Sequence, residues 1–195
     1  MTGNAQDIPS EKKLRDFPIT WLRKNLTIII AHDIDHDGYP GYNDFMTIAQ
    51  RLIKHGNVKG KAADDVIEFF RSYAKPPKDG ARSEIMGKRS LGEFVTAAWK
   101  AEHNPGVIDL LRSKYSRMFK IFDLDSSGYI TFDEYLVFWR VYDLDLRFAK
   151  MQFDYMDTDG DGKISEEEFV NAAVDYYTSL DADTPNRFYG PLINY

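Results

Sequence analysis

Residues 157–168 read DTDGDGKISEEE, and this stretch decides how the rest of the chain is interpreted. Oxygen-bearing side chains stand at positions 1, 3, 5, 9 and 12 of the twelve, and glycine stands at position 6. With this spacing the carboxylates face a common centre, position 7 contributes its carbonyl, and a glutamate at position 12 binds with both oxygens. The glycine makes the sharp turn without a Cβ penalty. We expect Ser165, at position 9, to hold a bridging water. The stretch predicts a Ca²⁺-binding loop with the ligands Asp157, Asp159, Asp161, Lys163 (carbonyl) and Glu168.

The same template occurs twice more, which indicates a repeat protein. DLDSSGYITFDE at residues 123–134 keeps the glycine and the terminal glutamate. DIDHDGYPGYND at residues 33–44 keeps the glycine but ends in aspartate and carries proline at position 8. The ligands predicted for these two loops are Asp123, Asp125, Ser127, Tyr129 (carbonyl) and Glu134, and Asp33, Asp35, Asp37, Tyr39 (carbonyl) and Asp44.

A further unit without metal is predicted between the first loop and the later two. Aligning Glu93 with Glu134 as position 12 places Arg82 at ligand position 1 and Met86 at position 5. Arginine would bring a cation to the metal site, and methionine offers no oxygen. This unit therefore keeps its helices and does not bind an ion.

Each loop of this kind is the centre of an EF-hand, a helix–loop–helix unit. The sequence predicts an all-α protein with four EF-hands in two pairs, packed as one compact globule, with short antiparallel bridges between paired loops. The apolar residues near the end indicate a tail that folds back on the globule. The predicted divisions are a flexible arm at 1–15, an N-terminal pair at 16–103, a C-terminal pair at 104–180 and the tail at 181–195.

The first loop is predicted to differ in its ion preference. Asp44 is one methylene shorter than the glutamates at position 12 of the other two loops, which makes bidentate binding harder and favours the smaller Mg²⁺. Pro40 lacks an N–H, so the bridge to Arg89 of the metal-free unit would lose at least one bond. We expect three Ca²⁺ sites, with Mg²⁺ binding especially at the first.

Composition limits the classes of protein that the chain can represent. The net charge is −6, and no run of Lys and Arg indicates a nucleic-acid surface. Cysteine is absent, and the start carries no apolar signal segment, which together favour a cytoplasmic location. No apolar run is long enough to span a membrane. No nucleophile–base constellation stands out, so we expect a monomeric, non-enzymatic protein whose possible protein target is not evident from the sequence.

With these motifs, the chain resembles the sarcoplasmic calcium-binding protein family, including its calexcitin-like members. The resemblance is carried by the length, by the four EF-hands with a metal-free second one, and by the sequence FYGPL at residues 188–192. It implies a compact globule whose two EF-hand pairs pack on each other. It also implies Ca²⁺ and Mg²⁺ buffering in the cytosol.

Two alternative functions stay open. A Ca²⁺ sensor that regulates a protein partner would open a methionine-rich groove, whereas the methionines here are scattered along the chain. A luciferin- or coelenterazine-binding protein is similar in its active first, third and fourth loops. The light-emitting proteins of that group carry a His-Trp-Tyr set, and the corresponding residues here are Ala173, Tyr177 and Tyr189. Only the last matches, so light emission is not expected.

Overall fold

A computed structural model describes residues 14–38, 40–74, 91–102, 104 and 106–193. Within these ranges the regular secondary structure is helical apart from two strands of two residues each, which confirms the predicted all-α fold. The α-helices are α1 Ile19–His32, α2 Tyr42–His55, α3 Lys61–Ala74, α4 Leu91–Glu102, α5 Val107–Phe122, α6 Phe132–Val141, α7 Ala149–Met156 and α8 Glu166–Thr178. The strands are β1 Tyr129–Ile130 and β2 Ile164–Ser165, and 3-10 turns occupy Leu14–Asp16 and Leu146–Phe148.

All three acidic loops lie between two helices. The entering helices α1, α5 and α7 each end at the aspartate in loop position 1, whose N–H donates to the carbonyl four residues earlier at 2.9 Å. The exit helices α6 and α8 begin with a capping box, in which Thr131 or Ser165 caps the helix and the glutamate three residues later reaches back. Local sequence therefore sets where each helix stops and starts.

The third and fourth loops pair through a short antiparallel bridge. Tyr129 faces Ser165 and Ile130 faces Ile164 across the two strands. Both isoleucines stand at loop position 8 and are fully buried, so the bridge carries apolar side chains into the core beneath it. The corresponding bridge in the N-terminal half would need Arg89, which lies outside the described residues. Arg82 and Met86 of the predicted metal-free loop lie outside them as well.

One main hydrophobic core takes residues from both halves of the chain. Helix α2 packs against α3, and α5 packs against α8, while α2 also packs against α6 and α1 against α8. Buried residues Phe45 and Leu52 of the N-terminal half share this core with Phe122 and Phe138 of the C-terminal half. A smaller cluster contains Phe17, Trp21, Leu26, Ile29 and Val95, three of which belong to α1. The shared core agrees with hand pairs packed as one body.

Residues after α8 pack into this core. Phe188 and Tyr189 are 0% and 1% exposed, and the Phe188 ring contacts Tyr115 and Phe169. Asn186 is buried and donates through Nδ2 to the Ala172 carbonyl at 2.8 Å. Further along, the Ile193 carbonyl accepts from Arg23 Nε on α1 at 2.7 Å. The segment thus contacts α1, α5 and α8 at once.

Among the described residues, none of the helices is both long enough and apolar enough to cross a bilayer.

Candidate metal centres

The third loop gathers three carboxylates at its centre. Oxygens of Asp123, Asp125 and Glu134, from loop positions 1, 3 and 12, lie within 4.8 Å of one another. Backbone N–H groups hold them there: Gly128 donates to Asp123 Oδ2 at 2.9 Å, and Leu124 donates to Glu134 Oε1 at 2.9 Å. Hydrogen bonds from the loop backbone therefore suffice to orient these acidic side chains toward one another.

The fourth loop repeats this arrangement with Asp157, Asp159 and Glu168 within 4.8 Å. Burial raises the pKa of Glu168, but hydrogen bonds from the backbone and side chains of Ser165 and Thr158 outweigh it and lower the pKa to about 2. Asp157 Oδ1 is buried and has no hydrogen-bond partner among the described residues. A buried, unpartnered carboxylate oxygen is unfavourable unless a cation contacts it, so this loop fits a bound metal ion.

The first loop gathers Asp33, Asp35 and Asp44 in the same way. Asp44 Oδ1 accepts from Ile34 N at 2.8 Å and from Asp35 N at 3.1 Å, and its Oδ2 accepts from Gly41 N at 2.7 Å. These amides stand at loop positions 2, 3 and 9, the same positions that Glu134 reaches in the third loop. Although its side chain is one methylene shorter, Asp44 therefore accepts from backbone amides at the same three loop positions. Tyr39, the predicted carbonyl ligand, lies outside the described residues.

Loop position 5 lies outside these carboxylate groups. Asp161 Oδ1 accepts from Lys163 N at 2.8 Å, and Asp37 is exposed. Ser127 Oγ donates to the Tyr129 carbonyl at 3.1 Å, so the two predicted ligands contact each other directly. The structure thus brings together positions 1, 3 and 12 in each loop and leaves position 5 at the rim.

Position 9 has a role that the sequence interpretation missed. Ser165 Oγ donates to Glu168 Oε2 at 2.8 Å, and Thr131 Oγ1 donates to Glu134 Oε2 at 2.7 Å. Both hydroxyls orient the position-12 glutamate, and the bridging water at Ser165 stays a prediction. The Ser/Thr-x-x-Glu spacing of a capping box was the available signal. Gly41 stands at this position in the first loop and has no hydroxyl to offer.

The donor set indicates which ions these loops can hold. Carboxylates and carbonyls are the ligands of Ca²⁺ and Mg²⁺, and none of the metal-ligating groups among the described residues contains histidine. His32, directly before Asp33, is buried and its Nδ1 lies 2.8 Å from the Ile28 carbonyl. Burial, with a smaller contribution from Lys114, lowers the pKa of His32 to about 3, so the ring is neutral. This agrees with a structural role for His32.

Comparison with known proteins supports this interpretation of the loops. Residues 112–174, which contain the third and fourth loops, match the family model described as the EF-hand domain pair. The third and fourth loops with their flanking helices are therefore similar to a pair of EF-hands, and the first loop gathers its carboxylates in the same arrangement.

The chain as a whole is similar to the sarcoplasmic calcium-binding protein of Hediste diversicolor, with 28% identity, 89% of this chain and 98% of the relative covered. It is also similar to the luciferin-binding protein of Renilla reniformis, with 23% identity over 88% and 94% of the two chains. Among solved structures, the Ca-loaded apo form of the coelenterazine-binding protein from Renilla muelleri superimposes with a TM-score of 0.71, at 23% identity over 88% and 96%. The first similarity supports the resemblance to the sarcoplasmic calcium-binding proteins.

Proposed function

We propose that the chain buffers Ca²⁺ through three EF-hand sites. The observation that carries this proposal is the convergence of three carboxylates within 4.8 Å in each of three loops, always from positions 1, 3 and 12. Like charges at such distances repel, and a divalent cation at the centre would turn this repulsion into attraction. The proposed ligands are Asp33, Asp35, Asp37, Tyr39 and Asp44; Asp123, Asp125, Ser127, Tyr129 and Glu134; and Asp157, Asp159, Asp161, Lys163 and Glu168, with residues 39, 129 and 163 acting through their carbonyls.

Buffering is favoured over target regulation by the packing of the tail. A Ca²⁺ sensor opens its paired hands and exposes an apolar groove to a partner helix. In this chain Phe188 and Tyr189 fill apolar space between α5, α6 and α8, with ring contacts to Tyr115, Phe138 and Tyr176. A partner helix would have to displace these buried side chains before it could bind.

The first site is proposed to prefer Mg²⁺ more than the other two do. Asp44 makes the amide contacts of a position-12 glutamate with a side chain one methylene shorter. A carboxylate held this close to the loop backbone favours one ligating oxygen over two, which suits six-coordinate Mg²⁺ better than Ca²⁺.

Calorimetric Ca²⁺ titration with and without millimolar Mg²⁺, combined with an apolar-surface dye, tests this function. We expect Ca²⁺ binding that Mg²⁺ weakens, with little new dye binding at saturation. A large Ca²⁺-specific dye signal would contradict buffering and favour a sensor. Absence of Ca²⁺ binding would contradict both.

A second candidate function, binding of a flat aromatic small molecule, is favoured by a cluster of tyrosine hydroxyls. Tyr115 Oη donates to Tyr177 Oη at 3.0 Å and lies 2.8 Å from Tyr189 Oη. Two of the three positions compared with the light-emitting proteins therefore meet at one hydroxyl. Tyr142, whose ring packs against Tyr189, has a buried hydroxyl with no partner among the described residues.

Coelenterazine titration followed by tryptophan and tyrosine fluorescence tests this candidate. Saturable quenching that weakens in Tyr115→Phe, while Ca²⁺ binding is retained, would support it. Quenching that is linear in ligand and equal in both proteins would reject it.

A further inference from the structure

The far end of α2 lies against the third loop. Gly56 ends this helix, and a Cβ built on it would lie only 3.1 Å from Leu124 Cδ2. That distance is shorter than ordinary carbon–carbon contact, so the Leu124 side chain packs directly on the Gly56 backbone. Leu124 is position 2 of the third loop, whereas Gly56 follows the exit helix of the first loop. The contact therefore joins the N-terminal half to an ion-binding loop of the C-terminal half.

Leu124 is held by the groups that would ligate the ion. It stands between Asp123 and Asp125, two of the clustered carboxylates, and its N–H donates to Glu134 Oε1 at 2.9 Å. A movement of the loop backbone that carries these carboxylates would therefore also move Leu124. Because the side chain rests on Gly56, that movement reaches the end of α2.

The near end of α2 carries a ligand of the first loop. Asp44 lies in the first turn of α2, a helix of 14 residues and about 21 Å in length. Rigid secondary-structure elements of this kind can carry coupling between distant sites. A second contact joins α2 to the end of α6: Arg51 Nη1 donates to the Val141 carbonyl at 3.3 Å. Glu134 lies in the first turn of α6. Helix α2 thus spans the distance between the first and third loops.

We infer that α2 couples ion binding at the first and third sites, with the Leu124–Gly56 contact as the positioning contact; this rests on the proposed function of the loops. Ligation at the first loop fixes the start of α2 through Asp44, and ligation at the third loop fixes its end through Leu124. Each event favours the helix orientation that the other requires. By linkage, each site raises the Ca²⁺ affinity of the other by the same factor. This route differs from the β1–β2 bridge, which joins the third and fourth loops.

The glycine at loop position 6 offers a separate signal for each site. Gly38, Gly128 and Gly162 donate their N–H groups to the position-1 aspartates at 3.0, 2.9 and 3.0 Å. The amide proton resonance of each glycine should shift when its own aspartate ligates Ca²⁺. A single NMR titration therefore gives a midpoint for every site.

The test compares the Gly38 midpoint in the intact protein, in Glu134→Gln, in Leu124→Ala and in the double variant. Loss of the third site by Glu134→Gln should weaken Ca²⁺ binding at Gly38 by at least about fivefold. In the Leu124→Ala background the same change should alter the Gly38 midpoint by less than about twofold, the scatter of independent sites. Leu124→Met, which conserves volume, is the matched control and should retain the full effect.

Two results would overturn the inference. One is a Gly38 midpoint that Glu134→Gln leaves unchanged, and the other is an effect of equal size with and without the Leu124 side chain. In either case the three glycine resonances of the intact protein would still shift with Ca²⁺, so the proposed function would stand. If no glycine resonance shifted, the proposed function itself would fail.

Discussion

At the scale of single residues, Asp44 distinguishes the first site from the others. Its carboxylate accepts from the amides of loop positions 2, 3 and 9, as the glutamates do, although its side chain is shorter. In the other two loops, the position-9 hydroxyls of Thr131 and Ser165 donate to the glutamates at position 12. Gly41, at position 9 of the first loop, has no hydroxyl. The first site therefore differs from the other two both in the length of its position-12 side chain and in the hydrogen bonds that orient it.

Lengthening this side chain is the first prediction. Asp44→Glu should raise Ca²⁺ affinity at the first site on the order of tenfold, equivalent to about 1.4 kcal/mol, and weaken Mg²⁺ competition there. Glu134→Asp is the matched reverse change and should shift the third site toward Mg²⁺. Site-resolved titrations in both ions measure the two effects. An unchanged Ca²⁺/Mg²⁺ preference in Asp44→Glu would mean that the length of residue 44 does not set it.

The second prediction concerns His32, which stands where the third hand has Phe122. Its buried ring packs against Tyr142 and Tyr189, and burial lowers its pKa to about 3 from 6.5. Below pH 6.5 the unfolded state takes up a proton that the folded state refuses. The free energy of unfolding must therefore fall as the pH drops toward 3.

Between pH 7 and pH 5 the expected loss from this residue is about 2 kcal/mol. Urea unfolding at both pH values and a fixed Ca²⁺ concentration measures it. His32→Phe, which supplies the side chain of the third hand, should reduce the loss by that amount. An identical pH dependence in the two proteins would show that His32 is not protonated on unfolding.

At the scale of elements, the segment after α8 behaves as a packed part of the core. Its described residues, 179–193, form no helix, yet they are fixed by buried polar contacts as well as by aromatic ones. Asn186 Nδ2 donates to Asp175 Oδ2 at 2.8 Å, and Gln152 Nε2 donates to Asn186 Oδ1 at 3.1 Å. Arg187 N also donates to Gln152 Oε1. These contacts join α7 and α8 through the tail.

The third prediction tests the tail by one deletion of apolar volume. Phe188→Ala should reduce the free energy of unfolding by about 3–5 kcal/mol and raise binding of an apolar-surface dye, because the ring is fully buried. Leu180→Ala is the control within the same segment, since Leu180 is 52% exposed, and should cost less than about 0.5 kcal/mol. Chemical unfolding compares the two. Equal stabilities would mean that the tail does not close the core.

At the scale of the whole molecule, both halves contribute to one core, and the acidic loops lie at its surface. The interior is rich in aromatic rings, with Phe138 in contact with Phe122, Phe169 and Phe188. Such a core leaves α5, α6 and α8 little freedom to separate. This packing agrees with a protein that takes up ions with limited change of exposed surface.

The fourth prediction is the number of ions in the whole molecule. Native mass spectrometry should find three bound Ca²⁺, and Asp44→Asn, Glu134→Gln and Glu168→Gln should each remove one, because each removes the charge of a position-12 ligand. Glu93→Gln is the matched control in the unit predicted to be metal-free and should remove none. A fourth ion that disappears only in Glu93→Gln would contradict the assignment of that hand.

The sequence by itself determined the loops. Their ligands lie within twelve residues, so spacing alone places positions 1, 3 and 12 around one centre, and local caps fix the helix ends at Asp123 and Thr131. Fold class followed from repeating this local unit. The ligand roles of individual residues and the division of the chain near residue 104 remain predictions.

Only the tertiary structure decided what meets across the chain. The packing of Phe188 on Tyr115, the meeting of Tyr177 with Tyr115, and the seat of Leu124 on Gly56 each join residues more than 60 positions apart. No spacing rule reaches that far, because such contacts depend on how amphipathic helices share a core rather than on local backbone geometry. In the sequence, nothing indicates a role for Leu124 at position 2 of the third loop. Its contact with Gly56, at the end of α2, gives it a function to test.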